Sequence, residues 1–149
     1  MIIVGRSVEQ CAADAHHLIP MIDQITTALG TPQRVLADTG YRSEDNFHAL
    51  TERGIDGYIA VGREGKPPPK LVSKLPATRA MHDKLRSEPG KRCYRRRKCI
   101  VEPAFGWIQA TTLAFREFLL RGFDKVGAEW DLVCTALNLV RMAPRIAWR

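Results

Sequence analysis

Two carboxylates stand out in this 149-residue sequence, because each adjoins an apolar stretch that would hold it at the edge of a core. Asp38 closes "RVLAD" and is followed by Thr39 and Gly40. Three apolar residues carry a strand to its C-terminal end there, where open α/β sheets present their ligands. An Asp in that place also shapes turns, by accepting a hydrogen bond from the backbone two residues on. Glu102 lies in "RRRKCIVEPAFGWIQ", behind four consecutive cations, Arg95, Arg96, Arg97 and Lys98. On a helix its face takes in Arg95, Lys98, Phe105, Gly106 and Gln109. The acid therefore borders a cationic ridge on one side and the apolar Val101, Ala104 and Ile108 on the other. Gly106 leaves the space one turn beyond it empty. Pro103 fits best in a first turn, which puts Glu102 near a helix N-terminus, where a carboxylate also complements the dipole.

Two carboxylates on different elements beside a polycation suit phosphoryl transfer with a divalent metal. Mg²⁺ takes carboxylate oxygens, keeps several waters and binds phosphates directly. A pair of such ions activates the attacking oxygen and stabilises the leaving one. The neighbouring Arg and Lys side chains would hold a phosphodiester backbone. One metal site requires Asp38 and Glu102 within roughly 4–8 Å of each other, although 64 positions separate them.

The charge distribution supports a polyanion partner. Of the 23 Lys and Arg, 13 fall between Gly62 and Lys98, against three of the 16 acids, so this segment carries +10 of a net +7 and the remainder is mildly acidic. One basic segment on such a domain is the footprint of nucleic-acid binding, although a solvated Lys-rich loop has the same composition. The length allows one domain with a real core. The four cysteines, Cys11, Cys93, Cys99 and Cys134, form no C-x-x-C pair, and no signal peptide or long apolar run is visible. A cytoplasmic protein with reduced thiols and no membrane contact is the expectation.

The elements that must position these residues follow from periodicity. "MIIVG" reads as a short buried strand and "CAADAHHLIPMIDQITTALG" as a helix with Pro20 early and Gly30 at its end. "QRVLADTGY" is a second strand. "SEDNFHALTERG" is a helix with Ser43 as N-cap, Phe47 and Leu50 inward and Gly54 as its stop, and "IDGYIAVG" is a third strand. Strand alternating with helix indicates an α/β fold. Residues 62–98 break the pattern with Gly and Pro clusters and read as a mobile basic insertion with one short helix near Ala80 to Arg86. Two apolar-faced helices follow over 99–143. The second carries a stripe of Trp130, Val133, Cys134, Leu137 and Arg141 and ends at Pro144.

Four blocks, "VLADTGYRSEDNFHAL", "GIDGYIAVGREGK", "CYRRRKCIVEPAFGWIQ" and "FLLRGFDKVGAEWDLVCTALNLVRM", resemble successive segments of DDE transposases from bacterial insertion sequences. The resemblance runs in the family's order from Asp14 to Met142. It implies an RNase H-like core, a mixed sheet flanked by helices, with Mg²⁺ or Mn²⁺ as cofactor and cut-and-paste strand transfer on transposon ends and target DNA. Asp38 matches the second catalytic Asp, Glu102 the catalytic Glu, and Tyr94 and Arg97 the Tyr and Arg that precede that Glu in the family signature. Two departures stand beside these matches. Gln109 occupies the place of a Lys. The first catalytic Asp belongs to a strand ahead of the one matching "MIIVG", and this chain has no Asp before Asp14. The expectation is a C-terminal part of a catalytic domain, lacking its first strand and inactive alone. It would act as a homo-oligomer or with an N-terminal polypeptide that supplies the missing acid.

Other readings are weaker. A DNA-binding remnant with Asp38 and Glu102 idle would keep the basic segment and lose metal binding. "ADTG" also resembles the active-site turn of aspartic proteases, whose fold is almost wholly β, whereas this sequence carries several helices. His16, His17 and the cysteines lack the tight spacing of zinc sites. Trp107 and Trp130 read as core rather than as stacking platforms for bases.

Overall fold

Two four-residue strands, β1 (Arg34–Ala37) and β2 (Asp56–Ile59), run parallel, with Arg34 opposite Asp56 and Ala37 opposite Ile59. A parallel pair needs a crossover, and the helix α2 (Glu44–Glu52) supplies it. The structure is a computed structural model that describes residues 2–62, 72, 74–111 and 114–146, less the side chains of 101, 102, 110, 111 and 144–146. The chain divides into two compact units, Cys11–Arg97 and a second made of Met1–Gln10 with Lys98–Arg149.

The first unit contains the sheet and three helices, α1 (Leu18–Leu29), α2 and α3 (Pro76–Arg86). Leu18 and Ile22 of α1, Phe47 and Leu50 of α2, Ala37 and Ile59 of the strands and Met81 of α3 form one buried cluster. Local chemistry starts and stops these elements. Ser43 Oγ accepts the Asn46 N–H at 3.0 Å and caps α2. Gly30 and Gly54, at φ +86° and +67°, end α1 and α2 in a conformation that other residues reach at a cost. Gly57 gives Leu50 its room: a β-carbon there would stand 2.7 Å from Leu50 Cδ1, so this buried side chain would have to shift. Asn46 is buried with its amide donating to Ala15 O at 2.8 Å and Tyr41 O at 2.9 Å, which ties α2 to the turn before α1 and to the turn between β1 and α2.

α3 starts with Pro76 and has no capping side chain of its own. Glu44 provides the cap from α2, accepting the Ala77 N–H at 3.1 Å and the Thr78 N–H and hydroxyl at 2.6 Å each. Burial pushes this carboxyl up, but the Thr78 hydroxyl and the two amides outweigh it and hold its pKa below the usual value.

The second unit packs the end of α4 (Glu88–Gly106) and a π turn, Trp107–Thr111, against α5 (Phe123–Ile146). Ala104 and Ile108 meet Val133 and Leu137, with Ile3, Phe115 and Trp130 around them. The expected stripe on α5 is thus the buried one. Three expectations are corrected. The strand expected at "MIIVG" is absent from its described residues, 2–5: Ile2 and Val4 are half exposed, and Ile3 is bound through its backbone, its N–H and C=O each 2.7 Å from the amide of Asn138. The apolar run is real, but a side-chain amide on a helix takes the place of a neighbouring strand. The loop expected over 62–98 is helical from Pro76 almost throughout; 63–71 and 73 lie outside the described residues. Cations are good helix formers, and Pro76 stands at a helix start. Pro103 and Pro144 sit inside helices, so neither marks a boundary. Each removes one N–H, and four residues after Pro103 the helix widens into the π turn.

Candidate functional site

Asp38 stands immediately after β1, exposed at the C-terminal edge of the sheet. Its Oδ1 accepts the Gly40 N–H at 3.0 Å and caps the 3-10 turn Thr39–Tyr41. The turn-shaping role is therefore present. It leaves the carboxylate at the surface of the sheet edge, where a ligand can reach it. A second acid stands beside it. A β-carbon on Gly40 would collide with Asp14 Oδ2 and come 3.2 Å from Asp38 Oδ1. Gly40 thus lies against two carboxylates, and a larger residue there would require the exposed Asp14 side chain to move. Burial first, then the charges of Asp14 and Asp38, raise the pKa of the Tyr41 phenol, so both acids act on one neighbour. Asp14 belongs to the 3-10 turn Asp14–His17 that precedes α1. Twenty-four positions separate the two acids, and nothing in the spacing announces their approach.

Asp56 is the other acid of the sheet, and it is committed elsewhere. It opens β2 opposite Arg34, at the far end from Asp38. Lys84 Nζ approaches one oxygen at 2.6 Å and Arg34 Nε the other at 3.1 Å. Lys84 is the main cause of its lowered pKa, followed by burial acting the other way and by Arg34. The Lys84 ammonium also lies 4.2 Å from the centre of the Tyr58 ring. This is a structural ion network that joins α3 to both strands.

Tyr94, Arg95, Arg96, Arg97 and Lys98 are consecutive on α4. Arg95, Arg96 and Lys98 are exposed. Arg97 is half-buried, its guanidinium 5.6 Å from the centre of the Tyr94 ring. Lys91, Arg95 and Lys98 recur at helical spacing and make one charged face, while Arg92 and Arg96 extend it sideways. Glu102 follows on the same helix, in its interior rather than in its first turn, and its side chain lies outside the described residues. Asp38 and Glu102 belong to different units. The open space expected at Gly106 is there: a β-carbon would meet nothing within 4 Å. Gln109 is exposed in the π turn and lines a cavity of about 410 Å³ with Phe105, Phe118, Trp130, Arg116 and Glu117.

Trp130 packs against Phe115 and Phe118, ring centres 6.2 Å away in each case, as a core-edge residue. Trp107 departs from the core reading. It is 41% exposed and lies under the Arg141 guanidinium at 5.1 Å. Among the described residues, no group of three or more His, Cys, Asp or Glu is placed to hold a metal ion, and no helix is long and apolar enough to cross a membrane.

Residues 70–143 match the family model described as a transposase DDE domain. Over this stretch the chain belongs to the DDE transposases. The matched part of the DDE domain takes in α3, the cations of α4, Glu102, Gln109 and α5 as far as Ala143; Asp38 and Asp14 precede it. Among curated proteins and among solved structures, none matches this chain. Helices joined to a small parallel sheet agree with an α/β DDE transposase and disagree with the β fold of an aspartic protease.

Proposed function

We propose that this transposase chain takes part in metal-dependent cleavage and transfer of DNA strands, with Asp38 and Glu102 as its acids on an RNase H-like core. The observation that carries the proposal is the family match over α4, where an exposed row of cations runs directly into Glu102. Asp38 supports it by standing exposed at the C-terminal edge of β1.

The donors fit the cofactor. Carboxylate oxygens are hard ligands of the kind Mg²⁺ and Mn²⁺ take, and one or two of them with water and phosphate complete a Mg²⁺ site. Asp38 and Glu102 would hold the metal, which when bound supplies Lewis-acid stabilisation of charge on the transferring phosphate. The protein does the rest. Gly40 N–H fixes the rotamer of Asp38 through Oδ1. The cations of α4 hold the DNA backbone and set its register without reading bases. Gln109 offers hydrogen bonds where the family signature has a cation, so it orients a phosphate and adds no charge.

Two acids hold too little charge for two dications, so this chain by itself is expected to leave DNA uncut. The approach of Asp14 to Gly40 favours a second reading, in which Asp14 supplies a further carboxylate. A nicking assay with Mn²⁺ on the unmodified chain and on Asp38→Asn, Glu102→Gln and Asp14→Asn separates them. No nicking by any of the four agrees with the first reading. Nicking by the unmodified chain that all three substitutions abolish assigns Asp14. Nicking that survives Asp38→Asn and Glu102→Gln removes both acids from catalysis.

A further inference from the structure

The loop that leads into α5 presents apolar side chains to water. Leu119 is 77% exposed, and Leu120 and Phe123 are half exposed. Each gives up burial that would stabilise it, and together they make a patch rather than scattered surface residues. The loop is nonetheless held in place. Glu129 of α5 accepts the Leu119 N–H at 2.9 and 3.1 Å through its two oxygens, and the Leu120 N–H at 3.0 Å. Arg121 Nη1 donates to Phe118 O at 3.0 Å, and Gly122, at φ +93°, turns the chain into the helix. An apolar knob ordered in advance loses little freedom when it enters an interface.

A receptacle adjoins the knob in sequence and lies in the same unit. It is the cavity of about 410 Å³, with Phe105, Phe115, Phe118 and Trp130 in its wall and the exposed Arg116 and Glu117 beside them. The knob carries the same two signs of charge, at the exposed Arg121 and Asp124. Among the described residues, Arg116, Glu117 and Asp124 have no ion-pair partner. Two copies related by a two-fold axis would each give a knob and receive one. That exchange can set Arg116 against Asp124 and Glu117 against Arg121, so the charges match across the contact. A small ligand in the cavity would leave the knob in water. A second copy covers both.

We propose that this face is the contact surface for a second copy of the chain, the Leu119–Phe123 knob of each copy seated in the aromatic cavity of the other. Asp38, Glu102 and the α4 cations take no part in it, so the surface is independent of the metal and DNA reading.

The test is sedimentation velocity on the full chain without DNA, from about 1 to 100 µM, where a monomer–dimer equilibrium is expected. Leu119→Glu, at a position in water in the single copy, is expected to weaken self-association about tenfold or more. Arg116→Glu and Asp124→Arg each bring like charges together and are expected to weaken it by a similar factor. An equimolar mixture of these two variants places opposite charges at both contacts of the mixed pair, and it is expected to dimerise as the unmodified chain does. Should a charge variant fail to fold, Leu119→Glu decides alone. A monomer throughout the range, assemblies that keep growing with concentration, association unchanged by Leu119→Glu, or a mixture that binds no tighter than its components overturns the proposal.

Discussion

Glu44 shows how one side chain can fix the position of an element distant in sequence. Its carboxylate closes three donors at the start of α3, 33 and 34 positions on. The sequence announces Glu44 only as a first-turn acid of its own helix; that it serves another helix depends on packing. Its pKa is lowered in the folded protein, so the stabilisation is complete above the unfolded-state value of about 4.3 and is lost as pH falls through the folded one. Glu44→Ala is therefore expected to lower the urea midpoint at neutral pH, and the gap from the unmodified protein should narrow below about pH 4. Urea titrations at neutral and acid pH check this; a gap that is constant with pH would assign the loss to packing rather than charge. Asp38 and Gly40 were legible as a strand-end acid and a small neighbour. The approach of Asp14 to Gly40 was not, because it depends on the turn before α1.

At the scale of elements, the helices were legible where capping and periodicity agreed. α2 has its Ser43 cap, its buried Phe47 and Leu50 and its Gly54 stop at the expected places. α4 was not legible, because its first half has no apolar face to show a period and its Pro103 imitates a helix start. A helix holds the charges of Arg95, Arg96, Arg97 and Lys98 at fixed spacing, and under the proposed function it would offer DNA a more defined contact than a loop. Replacing all four by neutral residues is expected to weaken duplex binding irrespective of sequence. It should flatten the slope of log affinity against log salt by up to about 3.6, or about 0.9 for each phosphate that is no longer neutralised. Binding isotherms at several salt concentrations measure it, and an unchanged slope would place the DNA backbone on another element. Lys91 and Arg92, left in place, retain part of the attraction.

For the whole molecule, the order of strand and helix between Asp14 and Ile59 indicated an α/β chain, and the described sheet is smaller than that order implied, two strands rather than three. "MIIVG" has the composition of a buried strand, but pairing is decided by which backbone lies alongside, and here that is an Asn138 side chain. The family was legible further than the topology, because the blocks around the α4 cations resemble DDE transposases and residues 70–143 match that family model. The two acids stand in different units, and as proposed above both are metal ligands. The most direct measurement is Mn²⁺ binding to the full chain by electron paramagnetic resonance, repeated with Asp38→Asn and with Glu102→Gln. Losing a direct ligand is expected to weaken affinity at least as much as losing an outer-shell partner, about tenfold or more. Weak Mn²⁺ binding that each single substitution reduces by that factor is the expected result. Mn²⁺ affinity unchanged in both single variants would contradict it.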